Sequence, residues 1–241
     1  GFFHAFFQAP RAEPMIEFLL ALSAFLLAHA IPPLPPVRGR LVALFGRRIY
    51  LMLYSGLSLI LVAWLISAAM RAPYVPVWYP LPWQAAIPVV VMPIALWLLI
   101  AGLAEGNPLS VSIRPADATA EPGPMASITR HPVLWGFLLW SLAHIPPTGH
   151  VVALILFGGM ALLALAGMFA LDRRAWKKLG AERWETLAAH APFIPFAGIA
   201  RGTSGLGALL AWPAAAALLV YLWLLLDGHR RLIGPDPLAW L

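Results

Sequence analysis

Six long apolar stretches divide this sequence, and they dictate its class of fold: Ile16–Ile31, Tyr50–Met70, Gln84–Ala104, Pro132–Ile145, Val151–Leu171 and Leu206–Leu226. The hydrocarbon core of a bilayer takes about 20 apolar residues per helix, and fewer where a helix is enclosed by its neighbours. The expected fold is therefore all-α and polytopic, with about six transmembrane helices. The fourth stretch is short and carries histidines at both ends, so it is expected to face protein rather than lipid. Pro32, Pro33, Pro35 and Pro36 should stop the first helix, because proline lacks the amide donor and restricts the residue before it. Pro88 and Pro93 should kink the third. Composition agrees: 61% of residues are hydrophobic and 11% charged, against roughly 25% charged in a soluble domain. Such a chain cannot cover its surface with polar groups in water.

The basic residues alternate between loops. The loops near residues 33–49, 105–131 and 172–205 carry 12 of the 16 Lys and Arg, and the remaining segments share four. By the positive-inside rule that first set is cytoplasmic, which places both termini on the outer side of the membrane. A net charge of +6 could suggest nucleic acid. The cations sit beside apolar runs, however, where they anchor headgroups, so no nucleic-acid partner is expected. Residues 1–14 read as an interfacial extension, and no basic region precedes an apolar core as a cleaved signal would require. Residues 15–205 read as the main transmembrane domain and 206–241 as an additional C-terminal helix and tail. Segment Asp172–His190 reads as one amphipathic interfacial helix, with Trp176, Leu179, Trp184 and Leu187 dipping inward. The segment Glu105–Arg130 reads as a polar loop.

The chain has no cysteine. That removes disulfides, thiolate metal sites, iron–sulfur clusters and cysteine nucleophiles. There is no GxSxG elbow, Walker loop, GxGxxG or HExxH either. What remains is histidine. An ionisable group inside a span is costly and calls for a functional account. His29 lies in LLAHA near the end of the first stretch and His144 in WSLAH near the end of the fourth. Two intramembrane imidazoles on different helices suggest a bis-histidine haem b, and the competing account is that each hydrogen-bonds a neighbouring helix. His131, in TRHPVLWG, opens the fourth stretch. His4, His150, His190 and His229 lie at loops or interfaces and read as solvated. Arg38, Arg40, Arg47 and Arg48 suit lipid headgroups, and Arg38 or Arg40 could pair haem propionates. Glu105 and Asp172 are expected to pair with this cluster.

The stretches LLAHAIPPLPPVRGRLVALFGRRIYLMLYSGLSL and TRHPVLWGFLLWSLAH closely resemble the NnrU family of bacterial membrane proteins, over about Met15 to Arg201. That family is named for its link to nitrite and nitric oxide reduction in denitrifiers, and it is related to the 15-cis-ζ-carotene isomerases. The resemblance implies a haem b protein with histidine axial ligands, and the matching positions are His29 and His144. It implies a role in nitrogen-oxide respiration or related redox metabolism, with isomerase-like chemistry a further option. One objection is geometric: His131 and His144 are thirteen residues apart, about 20 Å along a helix, and the topology sets His29 level with His131. His131 therefore stays an alternate partner.

Arg130, His131, Pro132 and Gly136 also resemble the RHPxxxG motif of membrane methyltransferases that act on isoprenylcysteine or phospholipid. There the motif precedes paired glutamates and tyrosines that hold S-adenosylmethionine. Here Leu171 and Asp172 replace the former, and Trp184 and Leu187 the latter. A third option is a non-catalytic accessory subunit, whose partners beyond the bilayer would be other membrane respiratory or redox subunits.

Overall fold

The computed structural model describes residues 12–113, 121–200 and 212–239, and these are helical apart from turns and loops. In chain order the helices are α1 (Ala12–Ala30), α2 (Pro35–Arg71), α3 (Pro82–Ala104), α4 (Pro124–Ile128), α5 (Pro132–Thr148), α6 (Val151–Leu179), α7 (Ala181–His190), α8 (Ala197–Ala200) and α9 (Trp212–Trp223). A π turn, Leu224–Gly228, and α10 (His229–Leu232) continue α9 without a break. Among the described residues five helical runs are long and apolar enough to cross a membrane. The sixth run is α5, whose 17 residues reach about 25 Å. The chain is thus an all-α polytopic membrane protein, with large aliphatic side chains such as Leu59, Ile60, Val90 and Leu162 exposed to lipid.

The contacts divide the chain into two compact units. The first runs through Val77 and takes in His150–Leu156; the second is Trp78–Gly149 with the chain from Phe157 onward. In the first, α1 lies along α2. Phe18, Ala21, Leu22 and Phe25 form its buried stripe at helical spacing, and Leu61, Leu65 and Ala68 form the stripe on α2. Glu17 closes one end, accepting from Arg71 at 2.6 Å and from Trp64 Nε1 at 3.2 Å.

The expected loop after the first span is largely helix. Pro35 and Pro36 end nothing further. They begin α2, because a missing amide donor costs nothing in a first turn. Gly46, at φ 77°, interrupts α2 and separates the basic segment before it from the apolar span after it. The interfacial helix expected over Asp172–His190 is likewise two pieces. Asp172–Leu179 continues α6, and Gly180 (φ 82°) turns the chain into α7. The expected polar loop 105–131 contains α4, whose Met125, Ala126 and Ile128 are buried. Residues 1–11, the body of the expected N-terminal extension, and 206–211, the start of the expected sixth span, lie outside the described residues.

In the second unit α5 packs against α3 through two glycines. A Cβ on Gly136 would stand 2.7 Å from the Ala95 carbonyl oxygen, and one on Gly102 would stand 2.7 Å from Pro132 Cγ. Small residues let helices approach this closely in lipid, where dispersion and backbone contact replace the hydrophobic effect. On its other side α5 meets α6 through Leu138, Ala161, Ala164 and Met168. Pro93 removes the amide that would have bonded the Val89 carbonyl, and the Tyr221 hydroxyl of α9 donates to that carbonyl instead, at 2.9 Å. Replacing Gly136 by leucine should therefore force α3 and α5 apart and cost about 1–3 kcal/mol. A thermal-unfolding scan in detergent checks this, and an unchanged midpoint would remove the close crossing from the account.

Candidate functional site

Three histidines singled out from sequence occupy three different settings. His131, the residue before α5, is fully buried. Its Nδ1 lies 2.9 Å from Ser110 Oγ and its Nε2 lies 3.0 Å from Asp172 Oδ1. Burial, partly countered by Asp172, holds its pKa down at about 4, so the ring is neutral at pH 7. A neutral imidazole carries one N–H, and a carboxylate can only accept. Nε2–H therefore donates to Asp172, and Ser110 donates to Nδ1. Both ring nitrogens are committed. This arrangement argues against His131 as an axial ligand.

Asp172 is the hub of the same cluster. Arg130 donates to it through Nε at 2.9 Å and through a terminal nitrogen at 2.7 Å. The guanidinium also lies over the Phe193 ring at 5.1 Å and the Trp184 ring at 5.6 Å. Around it, Thr129 Oγ1 and Trp135 Nε1 donate to the Phe193 carbonyl at 2.8 and 2.9 Å. Asn107 Nδ2 donates to the Arg130 carbonyl at 3.0 Å. This corrects the sequence expectation for Asp172, which is paired by Arg130 and His131. Glu105 accepts from the backbone amide of Met125 at 2.7 Å. A recess of about 270 Å³ opens beside Arg130, lined by Pro192, Phe193, Ile194 and their neighbours.

His144 sits on α5 at the end opposite His131. Its Nδ1–H donates to the Trp140 carbonyl one turn back, at 2.7 Å, and Nε2 has no hydrogen-bond partner among the described residues. Aromatic rings surround it, Phe157 at 5.2 Å and Trp140 at 5.8 Å between centroids. The third ring is the imidazole of His229, 6.4 Å away and inclined by 14°. Sequence reasoning set His229 aside as solvated. Its half-buried position against His144 is a tertiary fact, joining residues on two helices far apart in the chain, and no local signal marks it.

His29 belongs to the first unit. Its Nδ1–H donates to the Phe25 carbonyl at 2.8 Å, its ring stacks on Phe25 at 4.1 Å, and Tyr54 meets it edge-on at 5.9 Å. Arg38 and Arg40 lie in the first turns of α2, Arg38 half-buried over the Tyr50 ring at 5.9 Å and Arg40 exposed. His190 is exposed on α7, and His150 caps α6 by accepting from Ala153 N at 3.3 Å. His4 lies outside the described residues. Among the described residues no three His, Asp or Glu converge as a metal-holding group.

The pH dependence of the His131 cluster follows from its depressed pKa. In the unfolded chain the ring takes a proton near 6.5, and in the fold only near 4, so the unfolded state binds more protons in between. The stability contributed by the neutral ring is complete above pH 6.5 and drains away as pH falls toward 4. Thermal unfolding between pH 7 and 4 should show this loss, and His131→Gln should flatten it while lowering stability throughout. A variant as steep as the wild type would refute the assignment.

The pattern of the NnrU protein family matches residues 17–237 of the chain. No curated protein and no solved structure matches it. The chain belongs to the NnrU family, and the match extends through the last helix, beyond the stretch that carries the sequence resemblance.

Proposed function

We propose that this member of the NnrU family is a haem b protein of the bacterial inner membrane, serving nitrogen-oxide respiration or related redox metabolism. The observation that carries the reading is the state of His144. The backbone of α5 holds its Nδ1–H and fixes the tautomer. This leaves Nε2 as a bare lone pair in an aromatic setting. That is the preparation a metal-ligating imidazole needs, since the bond made by one ring nitrogen orients and polarises the other. The donor set fits haem b, which needs nitrogen ligands and no thiolate, in a chain without cysteine.

His144 is the proposed axial ligand. His29 is prepared in the same way within its own unit, by the Phe25 carbonyl, and the imidazole of His229 lies beside His144. A bound haem would supply a one-electron iron couple. The chain's own part is to hold the imidazoles neutral and oriented, and to keep bulk water away with Trp140 and Phe157. Arg38 and Arg40 are read as headgroup anchors at the start of α2.

Methyl transfer draws less support. Asp172, which stands where a methyltransferase would carry paired glutamates, is already bound by Arg130 and His131. The recess beside Arg130, about 270 Å³, is smaller than the roughly 300–1,000 Å³ usual for small-molecule sites.

A pyridine haemochrome spectrum of the full chain, purified in detergent from haem-replete cells, tests the proposal. The expected result is stoichiometric b-type haem, most of it lost in His144→Ala and retained in the control His190→Ala. A colourless, well-folded wild-type protein would overturn it.

A further inference from the structure

We propose that the recess beside Arg130 binds a phosphate group, carried by a lipid headgroup or by a free phosphate. The proposal is independent of the haem reading and concerns the other end of α5. What carries it is a guanidinium with donors left over, in a recess otherwise walled by apolar side chains such as Ala188, Phe193 and Ala197.

A guanidinium has five N–H groups in a fixed fork. On Arg130, Nε and one terminal nitrogen donate to Asp172, at 2.9 and 2.7 Å. The other terminal nitrogen donates to the Ala191 carbonyl at 3.3 Å. Among the described residues, one N–H on each terminal nitrogen is left without a partner. Trp184, whose ring lies 5.6 Å from the guanidinium, adds another unspent donor: its Nε1 is buried and has no hydrogen-bond partner among the described residues. Buried donors without acceptors call for an ion or water. A phosphate offers acceptor oxygens, and arginine meets them best through paired N–H groups.

The walls are held in place by the chain itself. Arg130 N donates to the Pro192 carbonyl at 2.9 Å, and Thr129 and Trp135 share the Phe193 carbonyl. Phe196 N donates to the Ile128 carbonyl at 3.0 Å. Phe196 itself sits at φ 66°, a left-handed conformation that a residue with a side chain keeps only where its surroundings impose it. Here that hydrogen bond and the Trp97 ring, stacked at 6.0 Å, impose it. Donors fixed in rigid walls lose little freedom when a small anion binds.

The Arg130–Asp172 pair carries no net charge, so directed N–H groups supply the contact and the surroundings supply the attraction. Arg173, Arg174, Lys177 and Lys178 are exposed on the stretch of α6 after Asp172, and they outnumber Glu182 and Glu185 on α7. Such an excess draws anions toward a nearby recess. Asp172 directly follows the apolar run of α6, which sets the recess at the depth of phospholipid headgroups. A volume of about 270 Å³ is small for a nucleoside cofactor but takes one phosphate and the first atoms of its carrier.

Titration calorimetry of the full chain in an uncharged detergent tests this with two probes, inorganic phosphate and phosphatidylglycerol, added separately. One molecule should bind per chain. Saturation by both probes identifies a site for phosphate alone, and saturation by phosphatidylglycerol only identifies a headgroup site. Arg130 also holds the fold, so the position to change is Ala189, exposed on α7 at the edge of the recess. Ala189→Glu brings a carboxylate to the recess and should weaken binding at least about tenfold. The neutral Ala189→Gln should weaken it far less, and Arg40→Gln, on α2, should bind as the wild type does. Should Ala189→Glu not fold, Ala189→Trp serves in its place, filling the recess without charge and weakening binding similarly. Stoichiometric binding of neither probe, wild-type affinity in the Glu or Trp variant, or an equal loss in Arg40→Gln would each overturn the proposal.

Discussion

A polar atom at lipid depth has no water to fall back on, and this fold is organised by where such atoms find partners. Three solutions recur. A helix can satisfy its own side chains, as when Ser58, Ser141, His29 and His144 donate to carbonyls four residues back. A neighbouring helix can supply what proline removes, as Tyr221 does for the Val89 carbonyl. Or several polar groups can gather on one carboxylate, as Arg130 and His131 do on Asp172. The three differ in consequence. In the gathered cluster both nitrogens of the His131 ring are bonded and Asp172 accepts from both Arg130 and His131, so it holds loops and helix ends in place. The self-satisfied histidines are answered on one nitrogen only.

That difference separates His131 from His29 and His144. His131 looks the more dramatic residue, fully buried beside an arginine and an aspartate, yet its chemistry is spent. His144 is bonded only to its own backbone and retains a lone pair among aromatic rings. The RHP segment therefore acts as a lock. It ties the start of α5 to α6 through Asp172 and to the turn after α7 through the Pro192 and Phe193 carbonyls. The Asp172 cluster and the half-bonded imidazole then sit at opposite ends of one 17-residue helix.

Much of the fold was legible because the bilayer imposes length. The apolar runs gave the spans, and α5 was recognisable as the odd one from its shortness. The misreadings have local causes. Consecutive prolines read as a helix stop, but Pro35 and Pro36 also make a good first turn, so the next helix starts at once. Gly180 broke a segment whose amphipathic spacing looked continuous, because φ 82° is a conformation that spacing does not encode. The site was less legible than the fold. His29, His131 and His144 were recognisable by depth. The partners that decide their roles, Ser110, Asp172 and His229, come from distant segments through packing alone. Asp172 was assigned to the arginines after α1 on proximity to a span end. The structure gives it instead to Arg130, forty-two residues back in the chain.

The account turns on imidazole Nε2 atoms kept bare for iron. Pulsed electron–nuclear spectroscopy on the oxidised protein, with its histidines labelled by nitrogen-15, reads that bond itself. It should show two histidine nitrogens strongly coupled to one low-spin iron, with one coupling lost in His144→Ala. An iron with no coupled histidine nitrogen, or with both couplings intact after His144 is replaced, would contradict it.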